Sequence, residues 1–147
     1  MIQEEFMKAT GEVTIEVINS MGQIVDKRFI PNLVVQIGKN FIASRVIGIT
    51  PAVMSNMAIG TSAVAPAIGD TTLGAEVGRV ALTASSTTNN VITYTATFPP
   101  ATGTGAIVEA AILNAASAGT MLCRTTFSVV NKAAGDTLAI SWNITIN

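Results

Sequence analysis

Few side chains in this 147-residue sequence have a type or spacing suited to catalysis. Histidine is absent, which removes the commonest general base, the commonest metal ligand and every histidine-based triad. The single cysteine, Cys123, lies in an apolar strand pattern that predicts a buried, inert thiol. Paired carboxylates could hydrolyse glycosides, and four are candidates: Asp70, Glu76, Glu109 and Asp136. Each stands alone in the sequence, so we predict no enzyme, no cofactor and no metal site.

Two other local patterns are weak signals of function. Gly103-Thr104-Gly105 is like part of a phosphate loop, but no lysine follows it and the next element is a predicted strand, which favours a turn. Arg79, Arg124 and Glu109 are isolated charges within apolar segments. They are either paired within the fold or form ion pairs across an interface, and the sequence leaves both alternatives open.

Charge is unevenly distributed along the chain. Charged residues make up only 12% of it, and none occurs in 46–69 or in 80–108. Such a surface is typical of a protein that contacts other proteins over much of its area, although a Thr/Ser/Asn-rich β surface is the alternative. The net charge of −1, without Lys/Arg clusters, predicts no nucleic-acid partner.

Membrane and export signals are also missing from the sequence. We find neither an 18-residue apolar run nor a signal-peptide pattern, so no membrane association is expected. A lone cysteine cannot form an internal disulfide, which is consistent with synthesis in a reducing host cytoplasm.

The elements that would position these residues are mainly strands. Alternation of polar and apolar residues predicts a hairpin over 12–30 and further strands at 54–60, 78–85, 91–98, 106–114, 120–130 and 137–146. One helix is predicted over 33–47, with Asn32 as its N-cap and Gly38 inside it. We therefore predict a single mainly β domain over 1–147, sandwich-like or jelly-roll-like, with 1–10 as a possible N-terminal arm.

Several runs resemble strand signatures of bacteriophage virion structural proteins, and the resemblance extends over about 33–146. Within that family the chain is similar to the cement, or capsid decoration, proteins of Bordetella podophages. Asn56 departs from the pattern, because related sequences often carry histidine there. The matching runs are MSNMAIG (54–60), ATF (96–98), GTGA (103–106), EAAILN (109–114), GTML (119–122), RT (124–125), VVNK (129–132) and DTL (136–138).

The resemblance implies a jelly-roll-like virion protein on the outer capsid surface. It would form homodimers and bridge subunits of the major capsid protein. A tail or tail-fibre component with receptor-binding loops is the alternative, because similar domains occur there too. No small-molecule substrate is expected. We predict that partner contacts lie in three segments with irregular or charge-free patterns: Glu4, Glu5 and Lys8; Thr61, Val64 and Pro66; Pro99, Pro100 and Thr104.

Overall fold

The fold was obtained as a computed structural model, which describes residues 7–49 and 51–147. Strands account for 54% of the protein and helix for 8%, so the prediction of a mainly β, sandwich-like protein with one short helix is confirmed. The elements, in chain order, are β1 (Ala9–Ile18), β2 (Ile24–Val34), α1 (Gln36–Val46), β3 (Asn56–Gly60), β4 (Glu76–Ala81), β5 (Ala84–Thr88), β6 (Val91–Phe98), β7 (Gly105–Leu113), β8 (Met121–Lys132) and β9 (Thr137–Ile146).

The strands form one continuous antiparallel sheet that curls into two layers. Its strand order is β4-β3-β7-β8-β2-β1-β9-β6-β5. The two layers join at β2, where only Leu33 and Val34 pair with Arg124 and Cys123 of β8. The rest of β2 belongs to the layer of β1, β9, β6 and β5, and the other layer consists of β4, β3, β7 and β8.

The core lies between the inner faces of these layers. Every second residue of β9 is apolar, and Leu138, Ile140, Trp142 and Ile144 are all buried, as the alternation predicts. They pack with alternate residues of β1 and β6 and with β3, β7 and β8 of the other layer. Trp142 is 0% exposed and is the largest fully buried side chain in the described part of the chain.

Pro31 and Asn32 do not end β2, which corrects the predicted helix start. Pro31 pairs with Glu12 of β1, and the strand continues to Val34. A missing N–H is tolerated at Pro31 because β8 pairs with β2 only further along, so this part of β2 is an edge. The helix begins at Gln36, and Val35 precedes it without a side-chain cap.

Three other boundaries differ from the predictions. The segment predicted as one strand over 78–85 is divided between β4 and β5, which lie in different layers. β5 extends beyond the predicted strand end at 85, since it continues to Thr88, and Asn89 adopts a φ of 53° in the turn that follows. The predicted arm at 1–10 includes Ala9 and Thr10, which instead belong to β1 and pair with Ile146 and Thr145 of β9.

Gly38 allows α1 to pack closely against β8. It is the buried residue of the helix, and a Cβ at this position would overlap the carbonyl group of Leu122. Glycine therefore has a packing role here, despite its low helix propensity.

We expect Gly38→Ala to lower the free energy of unfolding by about 1–3 kcal/mol, the usual cost of overpacking. At an unobstructed helical site the same change would raise it by about 1 kcal/mol. Urea unfolding followed by circular dichroism measures the difference, with exposed Asn40→Ala in the same helix as the control. A stabilised Gly38→Ala protein would contradict this account of the contact.

We expect Trp142→Ala to cost about 3–5 kcal/mol of unfolding free energy, because it leaves a large cavity between the layers. The indole nitrogen of Trp142 is buried without a hydrogen-bond partner in the described structure. Trp142→Phe, which keeps an aromatic ring and removes that nitrogen, should therefore cost less than about 1.5 kcal/mol. Equal losses in the two variants in urea titrations would argue against this packing.

Candidate functional site: two loops beside strand β4

A long loop, 61–75, connects β3 to β4 and lies over the outer face of the β4-β3-β7-β8 layer. Leu73 is its buried apolar contact and packs against the outward side chains of Ala58, Ala111, Leu113 and Met121. Because these residues alternate with core residues, β3 and β7 are buried on both faces. The loop therefore acts as a third layer over this part of the sandwich.

Charged side chains beneath the loop hold it in place. Glu109 of β7 is 0% exposed and Arg124 of β8 is 2% exposed. The guanidinium donates to Glu109 Oε2 from Nε at 3.1 Å and from Nη2 at 2.9 Å. Its Nη1 donates to Asp70 Oδ2 of the loop at 2.9 Å. We call Glu109, Arg124 and Asp70 the buried ion cluster.

Backbone groups from both ends of the loop complete the cluster. Glu109 Oε1 accepts from the amides of Ser62, at 3.2 Å, and Ala75, at 2.7 Å, and Oε2 accepts from that of Gly74, at 3.0 Å. Arg124 Nη2 donates to the carbonyl of Val64 at 2.8 Å. A single buried carboxylate therefore fastens the start and the end of the loop at one point.

Asp70 holds the middle of the loop and does not cap a helical turn. Its Oδ2 accepts from the amide of Ala67 at 2.9 Å as well as from Arg124. A second tie runs to the helix, where the Gln36 amide donates to the carbonyl of Ile68 at 2.8 Å. Residues 71–73 form no helical turn, and Asp70 is engaged with the residues before it and with β8.

Two of the four carboxylates that are isolated in the sequence, Asp70 and Glu109, thus converge on Arg124, which the sequence did not reveal. Their arrangement is structural, because Glu109 is fully buried and both its oxygens accept hydrogen bonds from protein donors. Arg79 is also paired within the fold: Nη2 lies 2.6 Å from Glu76 Oε1, and Nη1 donates to the carbonyls of Ala115 and Ala118. Internal pairing is therefore the correct alternative for Arg79, Arg124 and Glu109.

The outward surface of the 61–75 loop carries apolar side chains and threonine hydroxyls, and its one charged side chain, Asp70, is 26% exposed. Val64 is 71% exposed, Thr61 and Ile68 are also exposed, and Pro66 is half-buried. The predicted contact residues Thr61, Val64 and Pro66 therefore lie together on one immobilised loop.

The second predicted loop, 99–105, closes one end of the sandwich between β6 and β7. Pro99, Pro100 and Thr104 are exposed. The buried Lys132 side chain donates to the Pro99 carbonyl at 3.0 Å. Gly103, with a φ of 67°, is buried, and its backbone lies about 3 Å from the position a Cβ would occupy on Gly78 of β4.

These two loops are neighbours of the same strand. The 61–75 loop joins β4 where Glu76 pairs with Gly60, and Gly103 lies against Gly78 two residues further along. Lys8 is separate from both loops. Its backbone pairs with Asn147, which follows the last residue of β9. The 99–105 loop lies at the other end of β9, where Leu138 pairs with Phe98, the residue before Pro99. Ten residues of β9 place these ends about 30 Å apart. Glu4 and Glu5 lie outside the described residues.

Metal-ligating side chains do not cluster in the described ranges, and the thiol of Cys123 is buried. Within 7–49 and 51–147, no group of three or more carboxylate or cysteine side chains could hold a metal ion. Burial raises the pKa of the Cys123 thiol far above its ordinary value, which makes the thiolate rare at neutral pH. None of the helical residues described forms a span long and apolar enough to cross a bilayer.

We expect Glu109→Gln to release the 61–75 loop, because it leaves the buried Arg124 guanidinium without its main counter-charge. Breaking such a pair costs about 3–5 kcal/mol. Amide hydrogen exchange should accelerate at Ser62, Gly74 and Ala75, whose N–H groups the carboxylate accepts. Glu76→Gln, which breaks a more exposed pair, is the control and should cost at most about 1 kcal/mol. Wild-type exchange rates in Glu109→Gln would show that the cluster does not hold the loop.

Comparison with known proteins gives no assignment. No protein-family model, curated protein or solved structure matches the chain. Function is therefore inferred from the two loops, the charge-poor surface and the residue runs described above.

Proposed function

We propose that the protein is a non-enzymatic cement, or capsid decoration, protein of a bacteriophage virion. It binds the outer capsid surface and bridges subunits of the major capsid protein. The observation that carries the proposal is an exposed, charge-poor loop that a buried ion cluster holds in one conformation. The resemblance of residue runs in 33–146 to phage virion proteins supports the same class of function.

A fastened loop suits binding to a large fixed lattice. Association carries an entropy cost for every loop that must be ordered at the interface. The 61–75 loop is already ordered by Glu109, Arg124 and Asp70, so this cost is met during folding. Val64 and Ile68 then offer apolar area, and the one charged side chain of the loop, Asp70, is already paired with Arg124.

Mass action explains how such contacts stabilise a shell. A ligand that binds the assembled shell but not the separate subunits lowers the free energy of the assembled state. A site that spans two capsid subunits has this selectivity, because it exists only after assembly. Loops 61–75 and 99–105 lie side by side along β4 and could each contact a different subunit.

The alternative is a tail or tail-fibre component. Sugar-binding fibre tips expose aromatic rings, which stack on saccharides. The only tyrosine and the only tryptophan here, Tyr94 and Trp142, are both buried in strands. This placement favours the capsid proposal over receptor binding through aromatic side chains.

The test uses particles of the phage that encodes the protein. Bare shells are mixed with wild-type protein, with Val64→Asp, or with Val25→Asp, which adds the same charge at an exposed valine of β2. We expect Val64→Asp to lower occupancy at least tenfold and to return the shell melting temperature to that of bare shells. Val25→Asp should bind like wild type. Equal binding by both variants would remove the loop from the interface.

Imaging of whole particles by electron microscopy decides between the two locations. Density for the protein over capsid subunit boundaries is the expected outcome, and density confined to the tail would replace this proposal with the alternative. Deletion of residues 2–6 tests the N-terminal segment separately, because it leaves the Lys8–Asn147 backbone pair and β1 intact. Unchanged occupancy would assign the contacts to the loops alone.

A further inference from the structure

The eight lysine and arginine side chains fall into two groups by their surroundings. Five are engaged within the fold: four form ion pairs with carboxylates, and Lys132 is buried against the Pro99 carbonyl. The other three, Lys8, Lys39 and Arg45, are exposed and have no carboxylate partner in the described ranges. Two of them belong to α1, and the third lines a groove beside it. Uncompensated positive charge is therefore concentrated around the helix.

Exposed aliphatic side chains gather at the end of the same helix. Val46, its last residue, is 81% exposed, and Ile47, Ile49 and Val53 after it are 75%, 58% and 58% exposed. Adjacent exposed aliphatic residues of this size mark an interaction site more often than a bare surface. We call the following set the α1 surface: Lys8, Lys39, Arg45, Val46, Ile47, Ile49 and Val53.

The turn after α1 has a defined conformation that keeps these side chains in solvent. Gly48 has a φ of 79°, and its amide donates to the carbonyl of Arg45 at 3.2 Å, while the amide of Ile49 donates to the carbonyl of Ser44 at 3.0 Å. These two bonds form a Schellman motif, in which the residue at the position of Ile49 frequently packs on an apolar residue at the position of Ser44. Serine does not offer that contact, so the motif presents Ile49 outward.

Two grooves flank Val46. The first, of about 480 Å³, lies between α1 and the beginning of β1, and its mainly apolar lining includes Lys8 and Lys39. The second, of about 590 Å³, lies between α1 and β5, and Arg45 is its one charged lining residue. Val46 and Ile42 line both grooves. Val46 is therefore a ridge between two apolar grooves, each of which carries positive charge.

We propose that the α1 surface is a docking site for a segment of a partner protein that combines aliphatic side chains with carboxylates. The aliphatic side chains enter the two grooves and cover Val46, and the carboxylates pair with Lys8, Lys39 and Arg45. Burial of apolar area supplies affinity, and opposite charge fixes the orientation of the segment. The end of α1 lies about 15 Å along the helix from the point where the 61–75 loop is bonded to it, so this is a contact beyond the two loops.

The combination of charge and shape favours this class of partner over others. A bilayer is broad and does not enter grooves on both sides of a ridge, and three cations contribute only about 1 kcal/mol each at an anionic membrane. Nucleic-acid phosphates would satisfy the cations but would leave the four exposed aliphatic side chains in water. A polypeptide segment carries both kinds of side chain on one narrow chain, so it fills the grooves and pairs with the cations at once.

Selection from a surface-displayed library of random peptides tests the proposal on the purified protein. Enriched peptides should combine leucine, isoleucine or valine with aspartate or glutamate. Fluorescence anisotropy should show that Lys39→Glu and Val46→Ser each bind these peptides about tenfold more weakly than wild type. The matched controls, Lys27→Glu and Val25→Ser, make the same changes at exposed residues of β2 and should bind like wild type. Thermal melting verifies that each variant is folded.

Each other occupant predicts a different outcome. Peptide binding that appears only after deletion of residues 2–6 would identify the chain's own beginning, and a wild-type dimer that Lys39→Glu dissociates would identify a second copy. Co-sedimentation with vesicles of phosphatidylcholine and phosphatidylglycerol that Lys39→Glu abolishes would identify a membrane. Any of these results would overturn the proposal, as would no enrichment or peptides that bind wild type and both variants equally. No capsid shell takes part, so the outcome is independent of the proposed function.

Discussion

The buried pairing of Glu109 with Arg124 is the constraint on which the functional surface depends. Removing two charges from water is costly unless each finds close partners, and here the hydrogen-bond partners beyond the pair itself belong to the 61–75 loop. Two strands, β7 and β8, supply the charges, and the loop supplies Asp70 and backbone groups. If the loop left, Glu109 would lose its backbone donors and Arg124 its second carboxylate. The loop and the outer face of this layer therefore form one cooperative unit.

The sequence predicts well those features that depend on local alternation. The strands 91–98 and 137–146 have the predicted bounds, and the inward direction of Trp142 follows from a period of two alone. It fails where a distant neighbour decides the outcome. From the sequence alone, Pro31 indicates the end of a strand, but the structure shows that no residue of β8 pairs with it. In the same way Gly38 indicates a weak point in the helix, but the structure shows the Leu122 carbonyl beside it, where a larger residue would not fit. Asp70 and Glu109 are 39 residues apart in the sequence. They come together only because β7 pairs with β8 and the 61–75 loop folds back over these two strands.

The low charge of the chain also receives a structural explanation. Much of the charge that exists is used internally: Arg124, Glu109 and Lys132 are buried, and Arg79 is mostly covered. The outer face of β6 and β9 is instead covered by short uncharged polar side chains, among them Thr93, Thr95, Thr97 and Asn143. The Thr/Ser/Asn-rich surface, one of the two sequence alternatives, is therefore present, and it coexists with exposed apolar loops.

The position of β9 has a consequence for synthesis. This last strand lies between β1 and β6, and it contributes Trp142 to the centre of the core. Residues near the beginning of the chain, such as Ala9, pair with residues near its end, such as Ile146, so the closing contacts span almost the whole described sequence. Such non-local pairing is slow to form. During synthesis, neither β1 nor β6 can pair with β9, the strand between them, before 137–146 has emerged from the ribosome. A nascent chain thus cannot complete this fold, or offer finished binding surfaces, until β9 has emerged.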